Sequence, residues 1–404
     1  MNISDYHGIA EPGDLRAIER MASALAGRKM LHINSTAAGG GVAELLIRMV
    51  PLLRGLGIEV RWEVMQATRP FFEVTKGIHN SLQGRGEPLT NEMWETYREV
   101  NRENAARIDL DADLVVIHDP QPAMFIDFKK RGTWVWRCHI DISAPEKMTW
   151  QFLKYLVARY DGSIFSVSGF AQSLPIHQFL MQPTIDPLAE KNIHLEDEEV
   201  RSVYARLGVP MDKPILLQVS RFDPFKDPIG VIESYRLAKK YHDCALVLAG
   251  GTATDDPEGE RVLAEVQEKA AGDPDIHILL LPPFSDREVN ALQRGATIVL
   301  QKSTREGFGL VVAEALWKKK PVIAGNVGGI PLQVIEGTTG FLVHSVEGTA
   351  YRIRQLLEDP ERARRMGEAG REHIRRNFLI TRNVRNYLGI WTALERKEEK
   401  VIYV

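Results

Sequence analysis

The hydrophobic and polar positions of this chain follow two alternating patterns. Short apolar runs rich in Val and Ile recur along the sequence, and longer stretches with apolar residues at helical spacing separate them. Such runs are typical of parallel strands that crossover helices bury on both faces. The predicted strands cover residues 29–34, 58–65, 114–118, 133–140, 163–167, 215–220, 245–250, 276–281, 297–301, 321–324 and 340–343, and the predicted crossovers include 42–56, 228–241, 258–271 and 311–319. The pattern predicts an α/β protein with two doubly wound, Rossmann-like domains in tandem.

The domain boundary is expected where this alternation stops. A chain of 404 residues suits two domains, since one domain typically has about 150 residues. Apolar periodicity is lost between Met181 and Pro214, where prolines and a run of charges occur. We therefore expect a first domain over 1–190, a linker over 191–212 and a second domain over 213–375.

Two further segments depart from the alternation. Residues 66–108 are expected to be a loop followed by a polar helix. The segment 376–404 is expected to be a helix that packs back on the first domain. Its aromatic residues Phe378, Tyr387 and Trp391 support that packing, and a solvated terminal helix is the alternative.

Composition and charge narrow the class of partner. Lys and Arg total 51 against 54 Asp and Glu, which gives a formal net charge of −3. Because no basic excess is present, nucleic acid and anionic membranes are not expected partners, and the expected partner is a small molecule. No apolar run approaches the roughly 18 residues of a membrane span, and no secretory signal is visible at the N-terminus. Cys138 and Cys244 form no metal-binding pattern. We expect a cytoplasmic protein with no bound metal.

A glycine-rich turn follows the first predicted strand. Gly39, Gly40 and Gly41 come directly before a helix whose free N–H groups could receive a phosphate. The turn does not match the spacing of the dinucleotide-binding fingerprint, and an ordinary tight turn is the alternative.

Two cations follow the first strand of the second half. Arg221 and Lys226 lie in the sequence SRFDPFKDP, at the carboxyl end of a strand, where open α/β sheets bind ligands. A diphosphate would use Arg221 as a planar fork and Lys226 as a point charge. Either residue alone would more ordinarily be a solvated surface cation.

Two carboxylates flank another glycine-rich turn. Glu306 would lie on the loop after the strand 297–301, and Glu314 would lie in the helix that follows. The N–H groups of Phe308, Gly309 and Leu310 would then be unpaired donors at the start of that helix, suited to phosphate or sugar oxygens. Because its neighbours are apolar, Glu314 is expected to be buried and partnered.

A third group of polar residues closes two strands of the first half. His139 lies at the carboxyl end of the predicted strand 133–140, and Asp141 comes directly after that strand. Asp119 and Gln121 follow the strand 114–118. His139 could donate a hydrogen bond to a substrate hydroxyl or phosphate, and Asp141 could orient it. A structural histidine with satisfied hydrogen bonds is the alternative.

The order of these motifs along the chain resembles that of the retaining GT-B glycosyltransferases of family GT4. The hallmarks are an early glycine-rich loop, an Arg…Lys pair that opens the second domain, and E-x7-E, here Glu306 to Glu314. The resemblance covers most of residues 30–345. It implies two Rossmann-like domains that face each other across a cleft. Gln333 is a departure, since many members have an acidic residue near this position.

Four strings are similar to one branch of that family. HDPQPA at 118–123, WRCHID at 136–141, IDPLAEKN at 185–192 and SRFDPFKDP at 220–228 resemble the trehalose glycosyltransferring synthases and the related trehalose phosphorylases. The synthases join glucose from UDP- or ADP-glucose to free glucose and give α,α-trehalose reversibly, whereas the phosphorylases use glucose 1-phosphate. Chain length favours the synthase.

The resemblance also implies a role for each candidate residue. Arg221 and Lys226 would neutralise the leaving diphosphate, and residues 39–41 would close over the donor phosphate. Glu314 would accept hydrogen bonds from the ribose hydroxyls, and Glu306 and His139 would hold the donor glucose. The acceptor glucose would contact Asp119, Gln121 and Asp141. No obvious carboxylate nucleophile emerges, which favours front-face transfer through an oxocarbenium-like state.

The expected partners are a nucleotide-sugar donor and a glucose acceptor. No tightly bound cofactor is expected, Mg²⁺ would act through the nucleotide, and a homodimer is the base-rate expectation. A function of another class, a non-catalytic two-lobed sugar-binding protein, is the remaining alternative.

Overall fold

The computed structural model of the protein describes residues 1–37, 40–251 and 257–396. The strands are β1 (Lys29–Asn34), β2 (Glu59–Val64), β3 (Leu114–His118), β4 (Thr133–Arg137), β5 (Gly162–Phe165), β6 (His177–Leu180), β7 (Ile215–Val219), β8 (Ala245–Gly250), β9 (Ile276–Leu280), β10 (Ile298–Gln301), β11 (Val322–Gly325) and β12 (Gly340–Val343). The helices are α1 (Pro12–Ala24), α2 (Gly41–Gly55), α3 (Arg69–Leu82), α4 (Asn91–Arg107), α5 (Lys147–Val157), α6 (Asp197–Arg206), α7 (Pro228–Lys239), α8 (Pro257–Ala270), α9 (Asp286–Gly295), α10 (Leu310–Trp317), α11 (Ile330–Gln333), α12 (Val346–Glu358), α13 (Pro360–Asn377) and α14 (Ile380–Glu395).

The chain divides into two compact units, each with its own parallel sheet. The first contains Met1–Thr184 and the C-terminal segment from Leu379, and the second contains Ile185–Phe378. The predicted fold class, α/β with two doubly wound sheets, is confirmed. Strands such as β3, β7 and β8 are buried at every position, because helices cover both faces.

The sheet of the first unit has the order β2-β1-β3-β4-β5-β6, and all neighbours are parallel. Strand order reverses direction between β1 and β3, so the crossovers leave a crevice beyond the carboxyl ends of these two strands. Polar residues that follow β1, β3 and β4 are therefore brought to one edge of the sheet.

The sheet of the second unit has the order β12-β11-β10-β7-β8-β9, again parallel throughout. Its reversal lies between β7 and β10, which pair through Ile298 and Leu216. The loops that follow these two strands carry the predicted cations and one predicted carboxylate. The topology thus places those motifs side by side.

The predicted linker over 191–212 is wrong. The chain passes between the units at Thr184 and again at Phe378, and the stretch assigned to the linker contains α6, which packs on α9 in the second unit. The charge run that suggested a linker is the first turn of α6, with Asp197, Glu198 and Glu199. Carboxylates stabilise a helix there because they face its positive end. The first unit therefore ends earlier, and the second begins earlier, than predicted.

Two other segments differ in detail from the prediction. The insert over 66–108 forms two helices, α3 and α4, rather than one. Strand β6 was not predicted, because it is a short edge strand with mostly exposed residues and lacks an apolar run.

The C-terminal helix α14 belongs to the first unit and packs on α1. Tyr387 and Trp391 on its inner face are fully buried, and Arg28 stacks its guanidinium 5.1 Å from the centre of the Trp391 ring. Arg382 and Arg385 pair with the buried Asp14 of α1. In the part of the chain that the structure describes, no helix is both long and apolar enough to cross a membrane.

Candidate active site

The second unit brings the predicted Lys and Glu into direct contact. Lys226 lies in the loop after β7, Glu306 lies in the loop after β10, and Nζ of Lys226 is 2.5 Å from Oε2 of Glu306. The side chains are only 19% and 12% exposed. Gln301 and Ser303 also donate to Oε2 of Glu306, at 3.4 and 3.3 Å. An ion pair is thus held at the reversal point of the sheet.

Local sequence chemistry shapes the loop that carries Lys226. The Asp223 carboxylate accepts from the N–H of Phe225 at 2.7 Å, which forms a tight turn. Asp227 adopts a left-handed conformation, with φ of 48°, and caps α7 by accepting from the N–H of Gly230. Lys302 pairs with the same Asp227 carboxylate. These contacts fix the backbone on both sides of Lys226.

Arg221 lies at the outer part of this loop. Its side chain is 60% exposed, and its Nη2 is 3.3 Å from the Asp223 carboxylate. Arg221 and Lys226 are therefore on one loop, with Lys226 at the inner position against Glu306 and Arg221 at the solvent side.

The glycine-rich turn before α10 offers peptide donors next to this pair. Gly309 caps α10 with φ of 83°, and the N–H groups of Phe308, Gly309 and Leu310 make no hydrogen bond within the described residues. The turn is tightly backed by the loop after β11, since a Cβ on Gly328 would lie 1.6 Å from the Glu306 carbonyl oxygen. Free N–H groups at a helix start favour anionic or hydroxylated ligands.

Gln333, the departure from the family pattern, supports the same turn. Its side chain is fully buried and donates from Nε2 to the Phe308 carbonyl oxygen at 2.6 Å. A carboxylate in this position has no proton to donate. The amide thus holds the turn that presents Gly309 and Leu310.

Glu314 is buried on α10 and carries partners, as expected from its apolar neighbours. It is 4% exposed, accepts from Gln293 at 3.3 Å and lies 3.9 Å from Nζ of Lys191. Burial lowers the pKa of nearby Lys318 to about 7, and the Glu314 charge opposes that shift. The ribose role of Glu314 remains a prediction.

In the first unit, the glycine-rich turn lies after β1. Gly40 caps α2 in an extended conformation and Gly41 is its first residue, whereas Gly39 lies outside the described residues. The start of α2 therefore lies on the carboxyl-end side of β1, beside the reversal point of the first sheet.

Asp119 and His139 meet at the same edge. Asp119 follows β3 with φ of 65°, and its Oδ1 accepts from the backbone N–H of His139 at 2.8 Å. Burial raises the pKa of Asp119 to about 6, while the His139 N–H and the Arg137 charge act in the opposite direction. The carboxylate thus joins the ends of β3 and β4.

Asp141 does not orient His139, contrary to the sequence-based expectation. Its Oδ1 instead accepts from the N–H of Ser143 at 2.9 Å, and the ring of His139 is held by His118, with Nδ1 of His118 3.0 Å from Nε2 of His139. Gln121 is half-buried, and its Oε1 has no partner within the described residues.

Sequence reasoning placed His118 at the end of its strand, facing the same edge of the sheet, but missed His32 and the contacts between the rings. His118 contacts His32 of β1, and both rings are fully buried. The available signal was a histidine on each of two neighbouring strands, but only the tertiary fold shows that they touch. Within the described residues, no group of three or more His, Cys, Asp or Glu side chains could hold a metal ion.

Two family models match the chain in sequence order. Residues 32–172 match the model described as trehalose synthase, N-terminal domain, and residues 202–373 match the model described as glycosyl transferases group 1. Together with the two doubly wound sheets, these matches define a glycosyltransferase of the GT-B fold.

Similarity to whole proteins narrows the class. The trehalose synthase of Pyrococcus horikoshii is 45% identical over 97% of this chain and 96% of that protein. A trehalose phosphorylase of Pleurotus pulmonarius is 28% identical over 98% of this chain and 62% of that protein. A UDP-forming α,α-trehalose-phosphate synthase from Burkholderia xenovorans has the same fold, with a TM-score of 0.73 and 15% identity over 92% of this chain and 99% of that one. The chain belongs to the trehalose synthase family.

Proposed function

We propose that this enzyme is a retaining glucosyltransferase that makes α,α-trehalose from a nucleoside-diphosphate glucose and free glucose, reversibly. The observation that carries the proposal is the Lys226–Glu306 pair beside the free N–H groups at the start of α10. This arrangement offers one cation and fixed dipoles to a diphosphate, and one carboxylate to sugar hydroxyls.

The charge of the leaving diphosphate is the main barrier to transfer. An ammonium group has three donors, so Lys226 can keep one on Glu306 and direct the others to phosphate oxygens. Arg221 adds a second cation from the solvent side, and the helix N–H groups near Gly309 add dipoles that need no reorganisation. Glu314 would bind the ribose hydroxyls.

The same pair argues against a covalent intermediate on Glu306. A carboxylate already bound to Lys226 at 2.5 Å is a poor nucleophile, because its charge is neutralised. We therefore favour front-face transfer, in which the departing phosphate helps to deprotonate the acceptor hydroxyl. Glu306 and His139 would hold the donor glucose, and Asp119, Gln121 and Asp141 would contact the acceptor.

One assay separates the synthase from its alternatives. The purified protein is incubated with glucose and either UDP-glucose, ADP-glucose or glucose 1-phosphate, and trehalose is measured. Trehalose from a nucleotide glucose alone supports the proposal. Trehalose from glucose 1-phosphate alone identifies a phosphorylase, and binding without turnover in every mixture identifies a sugar-binding protein.

The role of Mg²⁺ is tested in the same assay. We place Mg²⁺ on the nucleotide, so a chelator should slow transfer moderately and leave the free protein unchanged. The proposed partners of the protein are the nucleotide sugar and glucose. The expected homodimer is tested separately, by light scattering of the purified protein.

A further inference from the structure

A row of three histidines crosses the sheet of the first unit. His32 of β1, His118 of β3 and His139 just after β4 contact one another through ring nitrogens, with both N···N distances 3.0 Å. The row starts at Met30, whose Sδ lies 3.2 Å from Nε2 of His32. We call Met30, His32, His118 and His139 the histidine relay.

The rings meet in the geometry of hydrogen bonds. The planes of His118 and His139 differ by 18° and their centres are 5.3 Å apart, as expected for two rings that meet nitrogen to nitrogen near a common plane. A ring nitrogen carries its proton or its lone pair in that plane. The planes of His32 and His118 differ by 32° and their centres are 5.2 Å apart, so this contact is more tilted. At 3.0 Å, each contact joins one N–H donor to one bare nitrogen.

The inner end of the relay sets the direction of these bonds. A thioether sulfur can only accept a hydrogen bond, so Nε2 of His32 must carry the proton that points to Met30. A neutral ring has a single proton, which leaves Nδ1 of His32 bare and makes Nε2 of His118 the donor. By the same step, Nε2 of His139 donates to Nδ1 of His118.

The surroundings keep all three rings neutral. Burial lowers the pKa of His32 to about 3. Burial also lowers the pKa of His118 and His139, and the Arg137 cation lowers both further. Asp119 from the loop after β3, Cys138 directly after β4 and Tyr387 from α14 are further titratable groups near Arg137 and these rings.

We propose that His118, His32 and Met30 are positioning residues that hold His139 in its Nε2–H tautomer, so that its bare Nδ1 accepts a hydrogen bond from a hydroxyl of the donor sugar. The sugar contact rests on the proposed function. Nδ1 of His139 makes no hydrogen bond with the described residues, and the residue is partly exposed. A bare nitrogen accepts a hydrogen bond from a hydroxyl but cannot donate one to a phosphate oxygen. The sequence-based expectation was the opposite, with His139 as the donor.

The tautomer is measured directly in the full-length protein with isotope-labelled histidine ring nitrogens. Long-range proton–nitrogen correlation spectra distinguish protonated from bare ring nitrogens without any substrate, and a His139→Asn variant assigns the signals. The proposal expects a protonated Nε2 and a bare Nδ1 on His139 at neutral pH. A His139 ring protonated at Nδ1, or at both nitrogens, would overturn it.

The role of Met30 is tested by Met30→Leu, a swap that nearly conserves volume. Without the sulfur acceptor, the hydrogen bonds between the three rings can run in either direction, and His139 should become a mixture of its two neutral tautomers. Met65→Leu is the matched control. Met65 is also buried, but it packs in the apolar cluster that contains Leu31 and Ile33, whose side chains lie on the face of β1 opposite Met30 and His32. This control should leave the His139 tautomer unchanged. An unchanged His139 tautomer in Met30→Leu would refute the assignment of Met30.

The sugar contact has its own readout. Fluorine in place of a hydroxyl cannot donate a hydrogen bond, and its electron withdrawal slows transfer equally in both enzymes. At one position of the donor sugar, deoxyfluorination should therefore lower kcat/KM roughly three- to tenfold more in the parent enzyme than in Met30→Leu. Equal discrimination in both enzymes would overturn the contact. Absence of trehalose from the unsubstituted donor would instead refute the proposed function, and the spectra would still decide the tautomer.

Discussion

Replacing Lys226 by Met tests the electrostatic core of the proposed function. Met has a similar length but no charge, so the variant removes the cation next to the leaving diphosphate and changes little else in shape. Removal of one preorganised electrostatic donor typically costs about 10²- to 10³-fold in kcat. We expect a loss of that size in kcat and in kcat/KM together, because the interaction strengthens as charge develops on the leaving group.

The same substitution has a smaller effect on folding. Glu306 loses a partner at 2.5 Å in a site where its side chain is 12% exposed, yet it keeps the donors of Gln301 and Ser303. A fully buried ion pair that loses one partner costs about 3–5 kcal/mol, and an exposed pair costs at most about 1 kcal/mol. We expect an intermediate loss of about 1–3 kcal/mol in the free energy of unfolding.

Lys302→Met is the matched control. Lys302 is similarly shielded, at 11% exposed against 19% for Lys226, and its partner Asp227 lies next to Lys226 in sequence. Its loss should lower stability by a similar amount and reduce kcat/KM less than tenfold. Initial rates of trehalose formation, together with urea unfolding of both variants, give the comparison. Equal losses of activity in the two variants, or kcat/KM within threefold of the parent for Lys226→Met, would refute the reasoning.

Three further substitutions test other parts of the site. Burial raises the folded-state pKa of Asp119 from 3.8 to about 6, so the parent protein loses stability as pH rises through this range. In urea unfolding, Asp119→Asn should be about 1–2 kcal/mol more stable than the parent above pH 6 and no more stable below pH 3.8. Gln333→Glu replaces the donor to Phe308 with a buried carboxylate and should cost about 2–4 kcal/mol; unchanged thermal unfolding would contradict this role. Glu314→Ala should weaken UDP binding about tenfold or more in calorimetry, and a larger effect on glucose binding would count against the ribose role.

Apart from the exposed edge strand β6, the strands of the described residues and the loops that follow them were predictable from sequence. A strand buried on both faces, such as β7, is a near-continuous apolar run, here interrupted by Gln218. The residues after it must lie at the carboxyl edge of the sheet. Lys226 and Glu306 were therefore found from local patterns, although their direct contact requires the pairing of β7 with β10. Boundaries were less predictable, because the acidic first turn of α6 has the same composition as a solvated linker.

The histidine relay could not be predicted, because its members are far apart in sequence and each has an ordinary explanation alone. A histidine inside an apolar strand, such as His32, is usually a satisfied core residue. Its meaning depends on the strand order β1-β3-β4, which places His32, His118 and His139 in one row.

Buried polar groups of the first unit lower its stability where they lack hydrogen-bond partners. Arg137 is fully buried, and it donates from Nη2 to Ser166 at 3.2 Å. Its Nε and Nη1 have no partner among the described residues. A hydrophobic side chain at this position would ordinarily be at least as stable. What the cation does supply is a field that opposes protonation of His118 and His139. The proposed tautomer, with a bare Nδ1 on His139, requires a neutral relay. The unsatisfied Arg137 and the proposed sugar contact are then linked, because the cation that lowers local stability also keeps the histidine rings neutral.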